Sequence, residues 1–143
     1  TTWIEKRDNH EHPSIRKMTE KGMMYISIPK EINEIIKQVP KGKLVTTEII
    51  VKNLAKKYNV DFTCPLTTGI FIAIDANAAE QEYYDGKKDI TPYWRVIKPK
   101  GILYDKYLGQ PSHQRDYLES EGYKIIPTKN KKNLCVENFE KYL

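Results

Sequence analysis

Prolines and glycines cut this chain into short pieces, and their positions decide which pieces can become helices. Pro29 opens a segment in which Ile32, Ile35, Ile36 and Val39 recur at helical spacing, and Pro40-Lys41-Gly42 closes it. A first-turn proline is tolerated because the N–H it lacks has no intrahelical partner there. Thr46 or Thr47 can cap the next helix through a side-chain oxygen. That helix carries Ile49, Ile50, Leu54, Ala55 and Tyr58 on its apolar face and Lys52, Lys56 and Lys57 largely on the other. Asn59-Val60-Asp61 reads as a turn. Pro65 starts a third helix, predicted to bury Ile70, Phe71, Ile74, Ala78 and Ala79, before a loop over 83–88. A last helix is predicted over about 112–120, with Gly122 placed to stop it. Residues 23–28, 96–97, 102–104, 124–126 and 134–136 read as short strands, the last two joined by the basic turn Lys129-Asn130-Lys131-Lys132. Two helices on a tight turn followed by hairpin-like pieces predict an α+β domain of the winged helix-turn-helix type.

The chain has 143 residues, which suits one domain with a real core. Residues 1–22 are polar and of mixed charge and read as an N-terminal extension to a domain over 23–143. No apolar run reaches the length of a membrane span, and no signal-peptide pattern opens the sequence. Cys64, Cys135 and the three histidines have no zinc spacing, so no metal or other cofactor is expected, and reduced thiols fit a cytoplasmic protein. His10-Glu11-His12 is a lone metal-like pairing on a polar terminus. The formal net charge is +5, unevenly spread. Residues 41–61 hold five Lys/Arg against two Asp/Glu, residues 62–91 two against five, and residues 92–143 ten against six. Basic flanks around an acidic middle fit a polyanionic partner, or a solubilising surface.

The densest motif is Thr91-Pro92-Tyr93-Trp94-Arg95-Val96, followed by Lys98-Pro99-Lys100-Gly101 and by Gln114-Arg115-Asp116-Tyr117-Leu118-Glu119-Ser120-Glu121-Gly122. It resembles the active-site region of the O6-alkylguanine-DNA alkyltransferases, which reads Pro-Cys-His-Arg-Val, then Gly, then Gln-x-x-x-Leu-x-x-Glu-Gly. The stretch Val39-Pro40-Lys41-Gly42-Lys43-Leu44-Val45-Thr46-Thr47 resembles the start of the same domain, and Tyr107 and Gly109 match its Tyr-x-Gly loop. The resemblance covers residues 32–122.

The resemblance implies a DNA-binding relative that has lost the chemistry. In the family a cysteine thiolate attacks the alkyl carbon, a histidine takes the thiol proton and a glutamate orients the histidine. Glu121 matches that glutamate, while Tyr93 stands at the cysteine position and Trp94 at the histidine position. A phenol with a pKa of about 10 is ionised in roughly one molecule per thousand at neutral pH. An indole N–H only donates and cannot act as a base. In place of the lost link, the Trp94 N–H is expected to donate to Glu121. The family's inserted arginine has no counterpart over residues 65–71, and its base-rotating tyrosine is replaced by Thr47.

The expected partner is double-stranded DNA, together with repair proteins and no membrane. Thr46, Thr47, Lys52, Thr67 and Thr68 are the candidate DNA-binding residues, with capping as the competing role for the threonines. Tyr93, Trp94, Tyr107 and Glu121 outline the former active-site pocket, where the aromatic rings either stack a base or plug the site. Arg95 is structural in the family pattern. Two other readings stand beside this one. The chain is a protein-interaction or small-ligand module that reuses the fold, or it is an alkyl acceptor using Cys64 at a helix N-terminus.

Overall fold

The computed structural model describes residues 2–9, 13–107, 110, 111 and 113–143, and the side chains of all of these except 107, 110 and 111. His10-Glu11-His12 and Gly109 lie outside the described residues, as does the side chain of Tyr107. The elements run α1 (Trp3–Asp8), β1 (Ile15–Thr19), β2 (Gly22–Ile26), α2 (Pro29–Lys37), β3 (Val45–Thr46), α3 (Thr47–Lys57), β4 (Phe62–Thr63), α4 (Pro65–Tyr84), β5 (Val96–Ile97), β6 (Lys106–Tyr107), β7 (Gln110–Pro111), α5 (Gln114–Ser120), β8 (Ile125–Pro127) and β9 (Leu134–Val136). The architecture is α+β, with the strands confined to small sheets.

Helix α4 is the axis of the domain. From Phe71 to Ala79 every residue is buried, so it carries no one-sided stripe. A helix apolar all round can only be stable when packed on all sides, and its alanines let α1, α2 and α3 approach closely. The expected stripe is right for Phe71, Ile74, Ala78 and Ala79 and wrong for Ile70, which is exposed immediately before the clamped section begins. The helix also runs to Tyr84, through the start of the expected loop.

Residues 2–9 and 13–22 are built into the domain, in place of the extension expected from the polarity of this region. Gln81 of α4 accepts hydrogen bonds from the backbone N–H groups of Trp3 and Ile4. The buried Arg7 guanidinium donates to Glu82 of α4 and to Asp8. Strand β1 pairs antiparallel with β2, whose other edge pairs parallel with β4. The polar residues are therefore partners for polar groups at the C-terminal end of α4, which composition alone does not reveal.

Asp75 sits at the centre of α4, fully buried, with no hydrogen-bond partner for either carboxylate oxygen among the described residues. Burial raises its pKa well above the ordinary aspartate value, and the Arg7 charge opposes this only in part. The folded protein thus keeps the Asp75 proton to higher pH than the unfolded chain, whose aspartates titrate near about 3.9. The contribution to stability is full below that pH and is lost as pH rises through the folded value. Asp75→Asn should flatten this dependence and raise stability at pH 8 by on the order of 1 kcal/mol. Urea melts of parent and variant at pH 5 and pH 8 check it, because the gap between them should widen with pH.

The helix pair of the predicted motif is present. Thr46 caps α3 by accepting from the Ile49 N–H at 3.1 Å, and α3 passes through Tyr58, Asn59 and β4 into α4. Asn59 has φ 51°, a left-handed turn that its side chain tolerates. Strand β3 pairs parallel with β5, which fastens the start of α3 to the Tyr93–Arg95 turn. The expected C-terminal hairpin forms as β8–β9, while 102–104 contributes a bridge of Ile102 to Cys135 in place of a full strand.

Candidate nucleic-acid interface

Tyr93 and Trp94 form part of a closed aromatic centre. Tyr93 and Trp94 lie in a one-turn 3-10 helix over Tyr93–Arg95, 1% and 8% exposed. The Tyr93 hydroxyl donates to Glu80 of α4. Trp94 stacks on Tyr117 of α5 with centroids 4.2 Å apart and planes 12° apart, and Tyr93 meets both rings edge-on at 5.4 and 6.0 Å. These are favourable aromatic geometries for a closed core. Of the two roles open to the pair, the geometry is that of the plug, and neither face of Trp94 is offered to a base. The Tyr117 phenol is pushed up, first by burial and then by the nearby Glu80 carboxylate, so it stays protonated.

Glu121 is held by Arg95, not by Trp94. Arg95 Nε and Nη2 donate to its two carboxylate oxygens at 3.0 and 2.6 Å, and Nη1 donates to the Val39 carbonyl at 2.6 Å. The Trp94 Nε1–H is buried with no partner at hydrogen-bond geometry among the described residues, so the expected Trp94–Glu121 bond is not made. Burial pushes the Glu121 carboxyl up, but the Arg95 fork, helped by the nearby indole dipole, brings it below its ordinary value. Gln114 is the second brace. Its buried amide donates to the Trp94 and Val96 carbonyls at 3.0 and 2.6 Å and accepts from the Tyr104 N–H at 2.8 Å.

Two of the candidate DNA contacts are turned inward. Thr46 is buried and its hydroxyl is occupied by the cap of α3. Thr68 is buried too, and its hydroxyl donates to the Cys64 carbonyl at 2.8 Å. Both are corrected to structural roles, because a threonine near a helix start satisfies local backbone groups before any ligand arrives. Thr67 is half-buried and donates to the same carbonyl at 3.3 Å. Lys52 is exposed but paired with Glu48 at 2.9 Å, one helical turn away. Burial raises the half-buried Cys64 thiol, while the Thr67 hydroxyl and the N–H groups of Thr67 and Leu66 bring it below its ordinary value.

Thr47 does face an opening. A mainly apolar hollow of about 360 Å³ lies between the starts of α3 and α4, lined by Thr47, Glu48, Val51, Pro65, Gly69, Lys98, Pro99 and Tyr104. The Lys98 ammonium stands 5.2 Å from the Tyr104 ring centroid. Burial pushes the Tyr104 phenol up to about 12, with the Thr47 hydroxyl opposing. Tyr104 also lines a second hollow of about 410 Å³ that reaches Arg115, Lys131 and Lys132, and Asn133 joins this to a third of about 500 Å³ beside Lys100 and Lys129. Tyr104 is common to the first two hollows and Asn133 to the last two. Together the hollows carry Lys98, Lys100, Arg115, Lys129, Lys131 and Lys132 against Glu48 and Asp105.

The turn that presents Lys98 and Lys100 is rigidly set. Gly101 has φ 77°, and a Cβ there would come within 2.5 Å of the Phe139 ring, so only glycine lets this turn pack on the C-terminal segment. The acidic middle of the sequence does not reach this band as a block. Asp75 is inside α4, Glu80 holds Tyr93, and Glu82 is taken by Arg7 and Lys87. Tyr104, among basic residues, reads from sequence as suited to nucleic-acid or protein contact, whereas Lys98, Lys100 and Arg115 carry no such individual reading and are brought together through the Gly101 turn and α5. The run Lys129-Asn130-Lys131-Lys132 was the other legible signal.

No protein-family model matches the chain, and no curated protein matches it. Among solved structures it is similar to S. pombe Atl1 in complex with damaged DNA containing O6-carboxymethylguanine, and to S. pombe ATL in complex with DNA. In both comparisons identity is 18%, coverage is 80% of this chain and 92% of the other, and the TM-score is 0.49.

Proposed function

We propose that this protein binds double-stranded DNA through the mouth of the α3–α4 pair and the adjoining basic band, and that it performs no alkyl transfer. The observation that carries the reading is the juxtaposition of that band with an alkyltransferase-like centre closed by Tyr93, Trp94 and Tyr117. A row of lysines with one arginine suits the phosphate backbone, while a buried phenol bonded to Glu80 offers no nucleophile. Holding an alkylated base without removing it would mark the lesion for repair proteins. The acidic segment that favoured a protein- or ligand-binding module is largely spent on internal contacts, which weakens that alternative.

Fluorescence anisotropy with plain and O6-methylguanine duplexes over a salt series tests the proposal. Affinity should fall steeply with salt, and Lys131→Ala with Lys132→Ala should weaken both duplexes alike and reduce the log–log salt slope by about 2, roughly 0.9 per phosphate contact. No binding at low salt would remove the DNA reading. Equal affinity for the two duplexes would remove lesion sensing. A mass increase on the protein after incubation with the alkylated duplex would remove the non-catalytic assignment, and its loss in Cys64→Ser would place the acceptor.

A further inference from the structure

We propose that the outer edge of β1 is a docking site for an extended, acidic segment of a partner protein, which joins the β1-β2-β4 sheet as a further strand. The proposal is independent of duplex binding. β2 lies on one side of β1, and no strand among the described residues lies on the other. Residues 15–18 are all exposed, Ile15 at 44% and Met18 at 67%.

The register shows which backbone groups are open. The Met23 carbonyl accepts from the Asp61 N–H and the Tyr25 carbonyl from the Cys64 N–H, both at 3.0 Å, so residues 23 and 25 point toward β4. Their antiparallel partners in β1 are Met18 and Arg16. Facing residues in an antiparallel pair turn their backbone groups either both toward each other or both away. Met18 and Arg16 therefore aim N–H and C=O outward, and among the described residues no hydrogen bond reaches them.

This edge is firmly mounted. The Tyr25 and Ser27 hydroxyls donate to one Glu31 oxygen at 2.6 and 2.5 Å, and the Tyr58 hydroxyl donates to the other. Tyr25 stacks on Tyr58 with centroids 4.1 Å apart, and the Arg16 guanidinium stands 5.8 Å from the Tyr58 ring centroid. The sheet is thus bound to α2 and to the end of α3, and an incoming strand meets a template already in place.

Charge and hydrogen-bonding chemistry select the occupant. β1 carries Arg16 and Lys17 and no acidic residue, Lys21 follows in the turn, and Glu20 is the single acid over residues 15–26. A second copy of the chain would set like charges side by side, which disfavours pairing. The phosphate backbone of a duplex offers acceptors only and leaves the Arg16 and Met18 carbonyls without donors. A peptide strand brings donors and acceptors at the same spacing, and acidic side chains on it match the basic ones here. Ile15 and Met18 add apolar contact, one on each face of the strand.

The test uses the whole chain and a fluorescein-labelled, end-capped octapeptide of alternating glutamate and valine, with a lysine–valine octapeptide as control. Anisotropy at low salt should show the first peptide bound and the second free. Bound peptide should slow amide exchange at Arg16 and Met18 and leave Lys17, which pairs with β2, unchanged. Met18→Pro removes an outward N–H and no ladder bond, so the hairpin should persist while peptide affinity falls about tenfold or more. Met18→Ala keeps that N–H and should lose less. Lys17→Glu should reverse the preference between the two peptides. Duplex affinity should stay parental in all three variants. Failure of the parent to bind the glutamate peptide, equal binding of both peptides, or exchange at Arg16 and Met18 indifferent to peptide would overturn the proposal and leave the duplex reading standing. So would competition between duplex and peptide with loss of duplex affinity in Lys17→Glu, which would make β1 a nucleic-acid contact. A parent that binds the peptide and no duplex would support the edge and remove the duplex reading alone.

Discussion

Arg95→Ala is expected to destabilise the fold by about 3–5 kcal/mol, the range for removing one partner of a buried ion pair. Both side chains are nearly enclosed, at 12% and 11% exposure, so solvent screens the pair little. Three segments meet at this guanidinium: the Tyr93–Arg95 turn, the end of α5 through Glu121, and the turn following α2 through the Val39 carbonyl. The variant leaves the Glu121 carboxylate with the weaker influences of the Trp94 indole and the Lys41 charge. Arg95→Lys should recover only part of the loss, because an ammonium cannot reproduce the planar fork. The effect has a defined pH sign. Glu121 titrates lower in the folded protein than its unfolded value of about 4.3, so it stabilises above that value and the contribution disappears as pH falls through the folded one. Urea unfolding at pH 7 and pH 4 should show the parent and Arg95→Ala drawing closer in acid. An equal gap at both values would mean that Glu121 is not the relevant partner.

Gln114→Leu is expected to cost at least about 3 kcal/mol, since it removes the side-chain partner of two buried and one part-buried backbone groups at once, and each unsatisfied group is worth roughly 1–3 kcal/mol. The lost partners are the Trp94 and Val96 carbonyls and the Tyr104 N–H. Leucine has a similar volume, so the loss reports hydrogen bonding more than packing. Gln114→Glu should be no better at neutral pH, because a carboxylate would face the two carbonyls to which the amide now donates. Amide hydrogen exchange gives a local readout in addition to the melting point. Tyr104 N–H should exchange much faster in Gln114→Leu, while amides in the β1–β2 hairpin keep their order relative to global unfolding. Because Tyr104 lines the proposed interface, weaker duplex binding should accompany that loosening.

The helices were legible wherever a local rule governs them. Pro29 and Pro65 start α2 and α4, Thr46 caps α3, and Gly122 with φ 95° ends α5. Two short apolar runs and a basic turn were enough to find β8–β9. The failures have a common cause. Ile70 was expected inside because it fits a helical stripe, but a stripe does not say how far along a helix its neighbours reach. Residues 1–22 were read as an extension because they are polar, while their partners Gln81 and Glu82 are some 75–80 residues away. Thr46 and Thr68 have DNA contact and capping as competing readings, and the backbone beside them takes their hydroxyls.

The candidate site divides along the same line. That Tyr93 and Trp94 carry neither a thiol nor an imidazole is a matter of side-chain chemistry, so the sequence by itself determined that these two positions supply no thiolate and no imidazole base. Whether those rings form an open stacking pocket or a closed plug depends on Tyr117, Glu80 and Gln114, which approach from α4 and α5. Only the tertiary structure decided that, and only it gathered Lys98, Lys100, Arg115 and the hairpin lysines around adjoining hollows while leaving the outer edge of β1 open. Local rules act through neighbouring backbone and can be read in order along a chain. Burial and charge density are sums over residues distant in sequence, and they acquire a value only when the chain has closed on itself.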